Sequence, residues 1–491
     1  MKKNSVTKNY IYNLLYQILT IIIPLITTPY LSRVLGAENI GIYSFTISIT
    51  TYFILFGSLG VSMYGQREIA YVQNDIKKRS KIFFEIFFMR CITLGISLFI
   101  FYITFCSKGQ YNIYYKILIL EIIANAIDIS WYFQGLEEFK KTVMRNTIVK
   151  LISVICIFLF VKESTDLNKY FIIYVFSNFL GNLSLWMYLS KFVQKVKLKE
   201  LNLFRHIKPT IMLFIPQIAT QIYTVLDKTM IGVIVPDKSE VGYYEQAQKI
   251  VKLLMTIATS LGTVMMPRIA ATFASGNHKK VREYMNKSFS FILLLAFPLM
   301  FGIISVSSSF VPIFYGKGYD KVVHLLCVIS PIIVLIGLSN VTGTQYLLPT
   351  KKQNQYTLSV VVGAIVNFIL NLILIKYFAS IGASIATVIA ELTVTATQFI
   401  LIRKEIKFID VVKLSYKYVI ASLVMFMCSM IVGYFIKDNF MSIVLQIIMS
   451  CFVYFIILYI LKDKLIIESV NKVRNKLRKE FFWDIFYRRY Y

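Results

Sequence analysis

The sequence predicts an all-α polytopic membrane protein. About fourteen transmembrane helices form two pseudo-symmetric six-helix lobes around a central cavity, with two extra carboxy-terminal helices. Composition is the first sign. The 491 residues are 57% hydrophobic and only 16% charged, with a mean hydropathy of +0.66, whereas soluble domains carry about a quarter charged residues. The second sign is arrangement: apolar residues fall in runs of about 20, enough to cross a hydrocarbon core of about 30 Å as helix. The third is an internal repeat.

Taken in order, the runs place spans near 10–34, 41–64, 81–106, 113–134, 146–162 and 168–189. A second set lies near 209–235, 241–267, 287–308, 322–347, 356–375 and 381–402, and a final pair covers 415–436 and 440–461. The expected domains are an amino-terminal lobe over 1–190, a carboxy-terminal lobe over 209–402, the pair within 415–461 and a basic tail over 462–491. Spans 1, 4, 7 and 8 are the least apolar. Lys2, Lys3 and Lys8 before an apolar run resemble a secretory signal, but the run is too long and no small-x-small cleavage site follows, so it is retained as helix 1.

Orientation follows from the 53 Lys and Arg. With the amino terminus inside, about 38 fall in cytoplasmic segments, about 9 outside and about 6 within spans. Lys77, Lys78, Arg79 and Lys81 form one inside cluster, and Lys195, Lys197 and Lys199 another. Both termini are therefore expected in the cytoplasm. Basic loops beside an anionic leaflet account for the net charge of +28, and no nucleic-acid partner is expected.

Several chemistries are missing from the sequence. Cys91, Cys106, Cys156, Cys327, Cys428 and Cys451 fall within spans and form no CxxC pair, so they read as small apolar packing residues. His206, His278 and His324 are far apart and have no zinc spacing. There is no GxxxxGK[ST] loop. No metal, cofactor or P-loop hydrolysis is expected.

The two halves share a series of short motifs. Pro24-Leu25-Ile26-Thr27, Gly41-Ile42-Tyr43, Ser58-Leu59-Gly60 and Arg67-Glu68-Ile69-Ala70 occur in that order in spans 1–2. Pro216-Gln217-Ile218-Ala219, Gly242-Tyr243-Tyr244, Ser260-Leu261-Gly262 and Arg268-Ile269-Ala270 follow the same order in spans 7–8. Six helices per unit bring the second unit in with the orientation of the first, which predicts a parallel repeat about an axis along the membrane normal.

Polar residues inside spans carry the functional reading, because a cation at mid-membrane costs about 2.5–3.5 kcal/mol. Helix 8 sets Glu245, Lys249, Lys252, Thr256, Thr259 and Thr263 along one face, and helix 7 sets Gln217, Gln221, Thr224 and Lys228 along one face with Asp227 beside it. Helix 1 carries Asn13, Gln17, Thr20, Pro24 and Thr27, and helix 2 carries Ser44, Ser48, Thr51, Ser58 and Ser62. These faces line a water-accessible cavity or pack helix against helix. Glu245 at i, i+4 from Lys249 can neutralise one cation, leaving Lys252 without a partner on its own helix, and the positive excess points to an anionic group such as a phosphate. Asp227, Glu245 and Glu391 are candidate ion-coupling carboxylates, while Arg90, Glu121, Asp128, Lys150 and also Glu391 read as ion pairs inside a lobe.

Longer motifs point to a family. Leu31-Ser32-Arg33-Val34-Leu35-Gly36 with Gly41-Ile42-Tyr43, Asp128 to Gly135 (Asp-Ile-Ser-Trp-Tyr-Phe-Gln-Gly) with Arg145-Asn146, and Asp227-Lys228-Thr229-Met230-Ile231-Gly232 resemble the polysaccharide-transporter flippases. Asn367 to Asn371 and Gly382-Ala383-Ser384 look like that family's later helices. The set resembles the Wzx-type O-antigen and capsule repeat-unit flippases of the MOP exporter superfamily. The resemblance implies an undecaprenyl-pyrophosphate-linked oligosaccharide as substrate, moved from the cytoplasmic to the outer leaflet for capsule, O-antigen or exopolysaccharide synthesis. Lys252, Lys249, Lys228 and Arg33 would meet the pyrophosphate, Arg33 by its match to a cavity arginine of lipid II flippases. Gln217, Gln221, Thr224, Thr256, Asn13, Gln17 and Thr20 would line the cavity around the sugars. A polysaccharide polymerase and glycosyltransferases are the partners the pathway implies.

Two rivals within the superfamily are a lipid II-type flippase, from which the Trp-x-Phe-Gln-Gly segment departs, and a drug or cation antiporter, which would want an anionic cavity. A polymerase or ligase would present a large outside loop with catalytic acids. The longest outside loop here, about 309–321, carries only Asp320, so no enzyme is expected.

Overall fold

The structure, a computed structural model, describes residues 6–436, 438–468, 470 and 471, with side chains described from Leu19 onward except at a few positions, most of them between 213 and 224. Among the described residues there are helices and turns and no strand. The first half holds α1 (Val6–Ser58), α2 (Val61–Tyr71), α3 (Ile76–Phe101), α4 (Asn112–Ala126), α5 (Ser130–Gly135), α6 (Phe139–Phe160), α7 (Leu167–Ser184) and α8 (Trp186–Leu189). The second holds α9 (Ile207–Ile234), α10 (Ser239–Thr259), α11 (Gly262–Ala274), α12 (His278–Tyr315), α13 (Asp320–Ile329), α14 (Ile332–Ser339) and α15 (Gln353–Leu401), then α16 (Phe408–Phe435) and α17 (Asn439–Ile460). An all-helical chain suits a bilayer, because each backbone N–H and C=O is satisfied inside its own segment.

Nine helical stretches among the described residues are long and apolar enough to cross a membrane, and ten if the bent pair Ser239–Thr259 and Val264–Ala274 counts as one. Two of the nine each contain a sharp reversal. α1 turns at Gly36, whose φ of 75° suits a residue without Cβ, and α15 turns at Ala379 with φ 49°. Each therefore covers two of the expected spans.

Three other boundaries differ from the sequence expectation. The expected span 113–134 is interrupted after α4: Asp128 turns the chain and its Oδ1 accepts from Ser130 N at 2.9 Å to start α5. The long helix α12 runs to Tyr315, so the expected loop 309–321 shrinks to the few residues before Asp320. Both Ser-Leu-Gly tripeptides interrupt a helix. α1 ends at Ser58 before Leu59 and Gly60 (φ 46° and 74°), and α10 ends one residue before Ser260, with α11 starting at Gly262.

The chain divides into two compact units. One is Met1–Gln246 with Tyr315–Lys321 and Ala364–Ala386; the other is Ala247–Phe314 with Val322–Gly363 and Thr387–Tyr491. In the first unit Trp131, Tyr132 and Phe133 pack with Phe83, Ile86 and Met89 of α3 and Val61 and Ile69 of α2. Gly65 admits Trp131, since a Cβ there would lie 2.4 Å from its ring. The Trp-Tyr-Phe-Gln-Gly segment is thus core. In the second unit the α16–α17 pair is tied to α12 by polar contacts: Ser429 Oγ donates to Ser305 Oγ (2.9 Å) and Tyr454 OH to Leu294 O (2.8 Å).

Candidate functional site

The α9–α10 hairpin carries two successive rungs in the first unit. Asp227, 3% exposed, accepts from Tyr244 OH and from Asn371 Nδ2 at 2.7 Å, and Asn371 also reaches Asn367 Oδ1 at 3.1 Å. One residue on, Lys228 Nζ meets Glu245 Oε2 at 2.9 Å, both side chains about one-sixth exposed. Adjacent residues of α9 thus meet adjacent residues of α10. Tyr170 and Tyr315 lie within electrostatic reach of Glu245. The hairpin geometry thus gives Glu245 a cation on the neighbouring helix, Lys228, in addition to whatever the next turn of α10 offers.

Further along α10 the stripe becomes open. Lys249 is half-buried, whereas Lys252 and Thr256 are exposed, and Thr256 Oγ1 turns back to Lys252 O at 2.9 Å. These three belong to the second unit, as does Glu391, which is buried beside Tyr356.

Arg33, in the first unit, is exposed beside the 316–319 turn, where a Cβ on Gly316 would come within 3.0 Å of Arg33 Cγ. Its neighbour Ser32 is buried, receiving Gln246 Nε2 on its hydroxyl (2.9 Å) and Tyr319 OH on its carbonyl (3.2 Å). Thr20 is half-buried and Gln221 exposed. The side chains of Asn13, Gln17, Gln217, Thr224 and Thr263, and the tail from residue 472, lie outside the described residues.

The serine stripe expected on helix 2 divides between the two readings. Ser44 and Ser48 are buried, and Thr229 Oγ1 donates to Ser48 Oγ at 2.8 Å, so the Ser44–Ser48 half of the stripe joins helices. Of the charges expected to form ion pairs, Arg90 gives Nη1 to the Asp128 carbonyl (2.9 Å), and Glu121 meets asparagine amides instead of a cation. Sequence reasoning missed Tyr244 and Asn371 as partners of Asp227. The i, i+4 asparagines 367 and 371 on an otherwise apolar helix were the available signal.

A multi-span helical membrane protein with paired charges and exposed cations on its spans belongs among membrane transporters. Comparison with known proteins narrows this. The family model "Polysaccharide biosynthesis protein" matches residues 6–273, and the model "Lipid II flippase MurJ" matches 142–455. The "Putative O-antigen transporter" of Escherichia coli (strain K12) is 27% identical over 406 residues, 82% of this chain and 97% of that protein. Among solved structures, "Lipid II flippase MurJ, inward closed conformation" superposes with a TM-score of 0.76 at 18% identity, covering 93% of this chain and 100% of that one. An inward-facing "multidrug resistance MATE family transporter of the MOP superfamily" gives 0.57 at 12% identity over 80% and 98%. The chain belongs to the polysaccharide biosynthesis protein family, as a multi-pass membrane transporter of the flippase type with the fold of the MOP superfamily.

Proposed function

We propose that the chain flips undecaprenyl-pyrophosphate-linked oligosaccharide repeat units from the cytoplasmic to the outer leaflet by alternating access. The fourteen-span topology has two six-helix lobes over 1–190 and 209–402, helices 13 and 14 within 415–461, and both termini in the cytoplasm. The observation that carries the reading is the polar stretch of α10 on which Lys252 and Thr256 are exposed. A cation on a membrane span needs water or an anion beside it, and the pyrophosphate supplies that anion. The headgroup cannot cross hydrocarbon unaided, since its charge and every sugar hydroxyl would lose water. Lys249 and Lys252, with Arg33 at the outer end and Lys228 when released from Glu245, replace that water around the phosphates. Gln221, Thr256, Thr20 and, by position in sequence, Gln217, Thr224, Asn13 and Gln17 hydrogen-bond the sugars.

Asp227, buried among neutral donors, is the best placed of the three candidate carboxylates to couple the cycle to an ion gradient. Glu245 serves the ion pair, and Glu391 is structural. Positive-inside topology sets the turns at Gly36, 235–238 and 316–319 on the outer face. Their mutual contacts within the first unit support a state closed to the outside, in which cargo enters from the cytoplasm. Partner glycosyltransferases and a polymerase would stand before and after this step.

The test is transbilayer movement in proteoliposomes of the purified protein, using a fluorescent undecaprenyl-pyrophosphate oligosaccharide. Movement that requires both the protein and the pyrophosphate is the expected result. No movement by folded protein under an imposed ion gradient overturns the reading. The match of the lipid II flippase model over 142–455 favours lipid II as second cargo, so preferential movement of lipid II in the same vesicles would reassign the substrate.

A further inference from the structure

The linker between the two repeats, Ser190 to Lys208, holds six Lys and Arg and one acid, Glu200. Its inward side is fixed to the first unit at both ends. Phe192 O accepts from Arg79 Nε (3.1 Å) and from Tyr132 OH (2.8 Å), and Gln194 N donates to Ser80 Oγ at 2.9 Å. At the far end Asn202 N donates to Glu85 Oε1 at 2.8 Å, and Phe192, Val193, Leu203 and Ile207 pack on the Trp131 core. Between these anchors, residues 195–201 make only local backbone bonds among the described residues, Glu200 N to Lys197 O and Leu201 N to Leu198 O. The middle of the linker is thus left open on its outward side.

Two kinds of side chain stand on that outward side. Lys195, Lys197 and Lys199 are exposed and take part in no ion pair among the described residues. Beside them Leu198 and Phe204 are 71% and 79% exposed. Phe204 opens a 3₁₀ turn that runs straight into α9, so Lys208, Ile211 and Met212, four, seven and eight residues on, share its face. All three are exposed, and apolar side chains exposed on a span face lipid. Phe204 therefore sits where that lipid face meets the membrane surface. In water the apolar pair would stay wet and the lysines would repel one another. A bilayer surface answers both, with an acyl boundary for the apolar pair and phosphates for the lysines. The place of Phe204 on a lipid-facing helix end selects the bilayer over a soluble acidic partner.

We propose that this linker is a binding site for anionic phospholipid of the phosphatidylglycerol kind. Leu198 and Phe204 enter the acyl boundary beside the start of α9, and Lys195, Lys197, Lys199 and Lys208 hold the phosphodiester headgroups. The lipid closes the linker from outside as Arg79, Ser80 and Glu85 close it from within. Because α9 begins where the linker ends, the bound lipid also holds the point at which the second repeat enters the membrane. A general attraction of basic loops to the leaflet needs no apolar side chain, whereas this site loses affinity without Leu198 and Phe204. The inference needs only that α7 and α9 span the bilayer, and it holds whatever cargo the chain carries.

The purified full chain in detergent micelles, given a fluorescent phosphatidylglycerol and unlabelled competitors, reads the site directly. Unlabelled phosphatidylglycerol is expected to displace the probe, whereas phosphatidylcholine and the free headgroup, glycerophosphoglycerol, are not. Lys195→Gln, Lys197→Gln and Lys199→Gln combined should weaken binding about a hundredfold, at about fivefold per lysine. Leu198→Ser with Phe204→Ser should weaken it about tenfold with every lysine kept. These positions are exposed, so melting temperatures in phosphatidylcholine should match wild type and separate lost binding from lost folding. For depth, Phe204→Trp in bilayer discs of about one-third phosphatidylglycerol should be quenched by brominated acyl chains. Wild-type affinity in the triple-lysine variant would overturn the proposal, and so would water-exposed emission from Phe204→Trp. Equal displacement by the free headgroup would overturn a lipid as the occupant. Neither readout involves transport, so a failed flippase reading leaves both standing.

Discussion

Gly41 and Gly242, corresponding residues of the two repeats, each abut the turn that precedes the other. A Cβ on Gly41 would lie 1.7 Å from the Lys238 carbonyl oxygen, and one on Gly242 would lie 2.1 Å from that of Ala37. The contact is reciprocal, as a pseudo-two-fold relation demands, and neither backbone oxygen can swing aside as a side chain can. Gly41→Ala or Gly242→Ala should therefore disfavour this contact, which on the proposed topology closes the outer end. With overpacking costs of about 1–3 kcal/mol, labelling of an outer-end cysteine should rise about fivefold or more, while flipping falls. Unchanged labelling in both variants would remove the gating role.

Lys252 is the cation most open along α10. Lys252→Ala should stop transport, a loss of about tenfold or more if one charge-assisted phosphate contact disappears. Thermal stability should stay within about 0.5 kcal/mol, as for an exposed position. Flipping rate and melting temperature on the same preparation check this, and full transport by the variant would remove Lys252 from the phosphate set.

Asp227 permits a cleaner separation of charge from shape. Asp227→Asn keeps a group that can bond Tyr244 and Asn371, so folding should hold while stimulation by an ion gradient disappears. Asp227→Ala leaves the buried Asn371 amide short of an acceptor and should cost about 1–3 kcal/mol of stability. Flipping with and without imposed proton and sodium gradients distinguishes the two, and gradient-stimulated flipping by Asp227→Asn would exclude Asp227 as the coupling group.

His206 makes the inter-repeat linker pH-sensitive. It is 3% exposed, with Nδ1 2.7 Å from Tyr64 OH and Nε2 2.9 Å from Glu85, whose other oxygen accepts from Asn202 N at 2.8 Å. A neutral ring satisfies both neighbours, donating to Glu85 and accepting from Tyr64, whereas a second proton makes Nδ1 a donor and requires the Tyr64 hydroxyl to turn and accept. Burial pushes the ring's pKa below its ordinary 6.5, against the opposing bond to Glu85. A group with a depressed folded pKa stabilises above its unfolded value and loses that contribution as pH falls through the folded one. Amide exchange over 198–206 should thus be slow at about pH 7.5 and faster below about pH 6. His206→Gln should show no such step; an equal step in that variant would place the sensitivity elsewhere.

Features written within one helix were legible from sequence, and those between helices were not. The all-helical fold was legible because apolar runs of span length are read along one segment at a time, whereas the helix breaks at the two Ser-Leu-Gly tripeptides, inside expected spans, were not. The Lys228–Glu245 pair was missed because i, i+4 arithmetic looks only along one helix, while the hairpin brings a cation of α9 to Glu245. Glu121 was taken for an ion pair because its true partner, Asn178, lies 57 residues away on α7 and carries no charge. The interruption of span 4 was missed because Asp128 was assigned to an ion pair within the span, whereas it turns the chain between α4 and α5.

The Trp131-Tyr132-Phe133 core has a consequence for classifying relatives. The segment that carries the family resemblance is spent on holding α2, α3 and α5 together, so a substitution there is first a change to the fold. On the proposed flippase reading, the stretch of α10 around Lys252 and Thr256 is where a change of side chain would alter what is held, and relatives are better compared by cargo there than at Trp131.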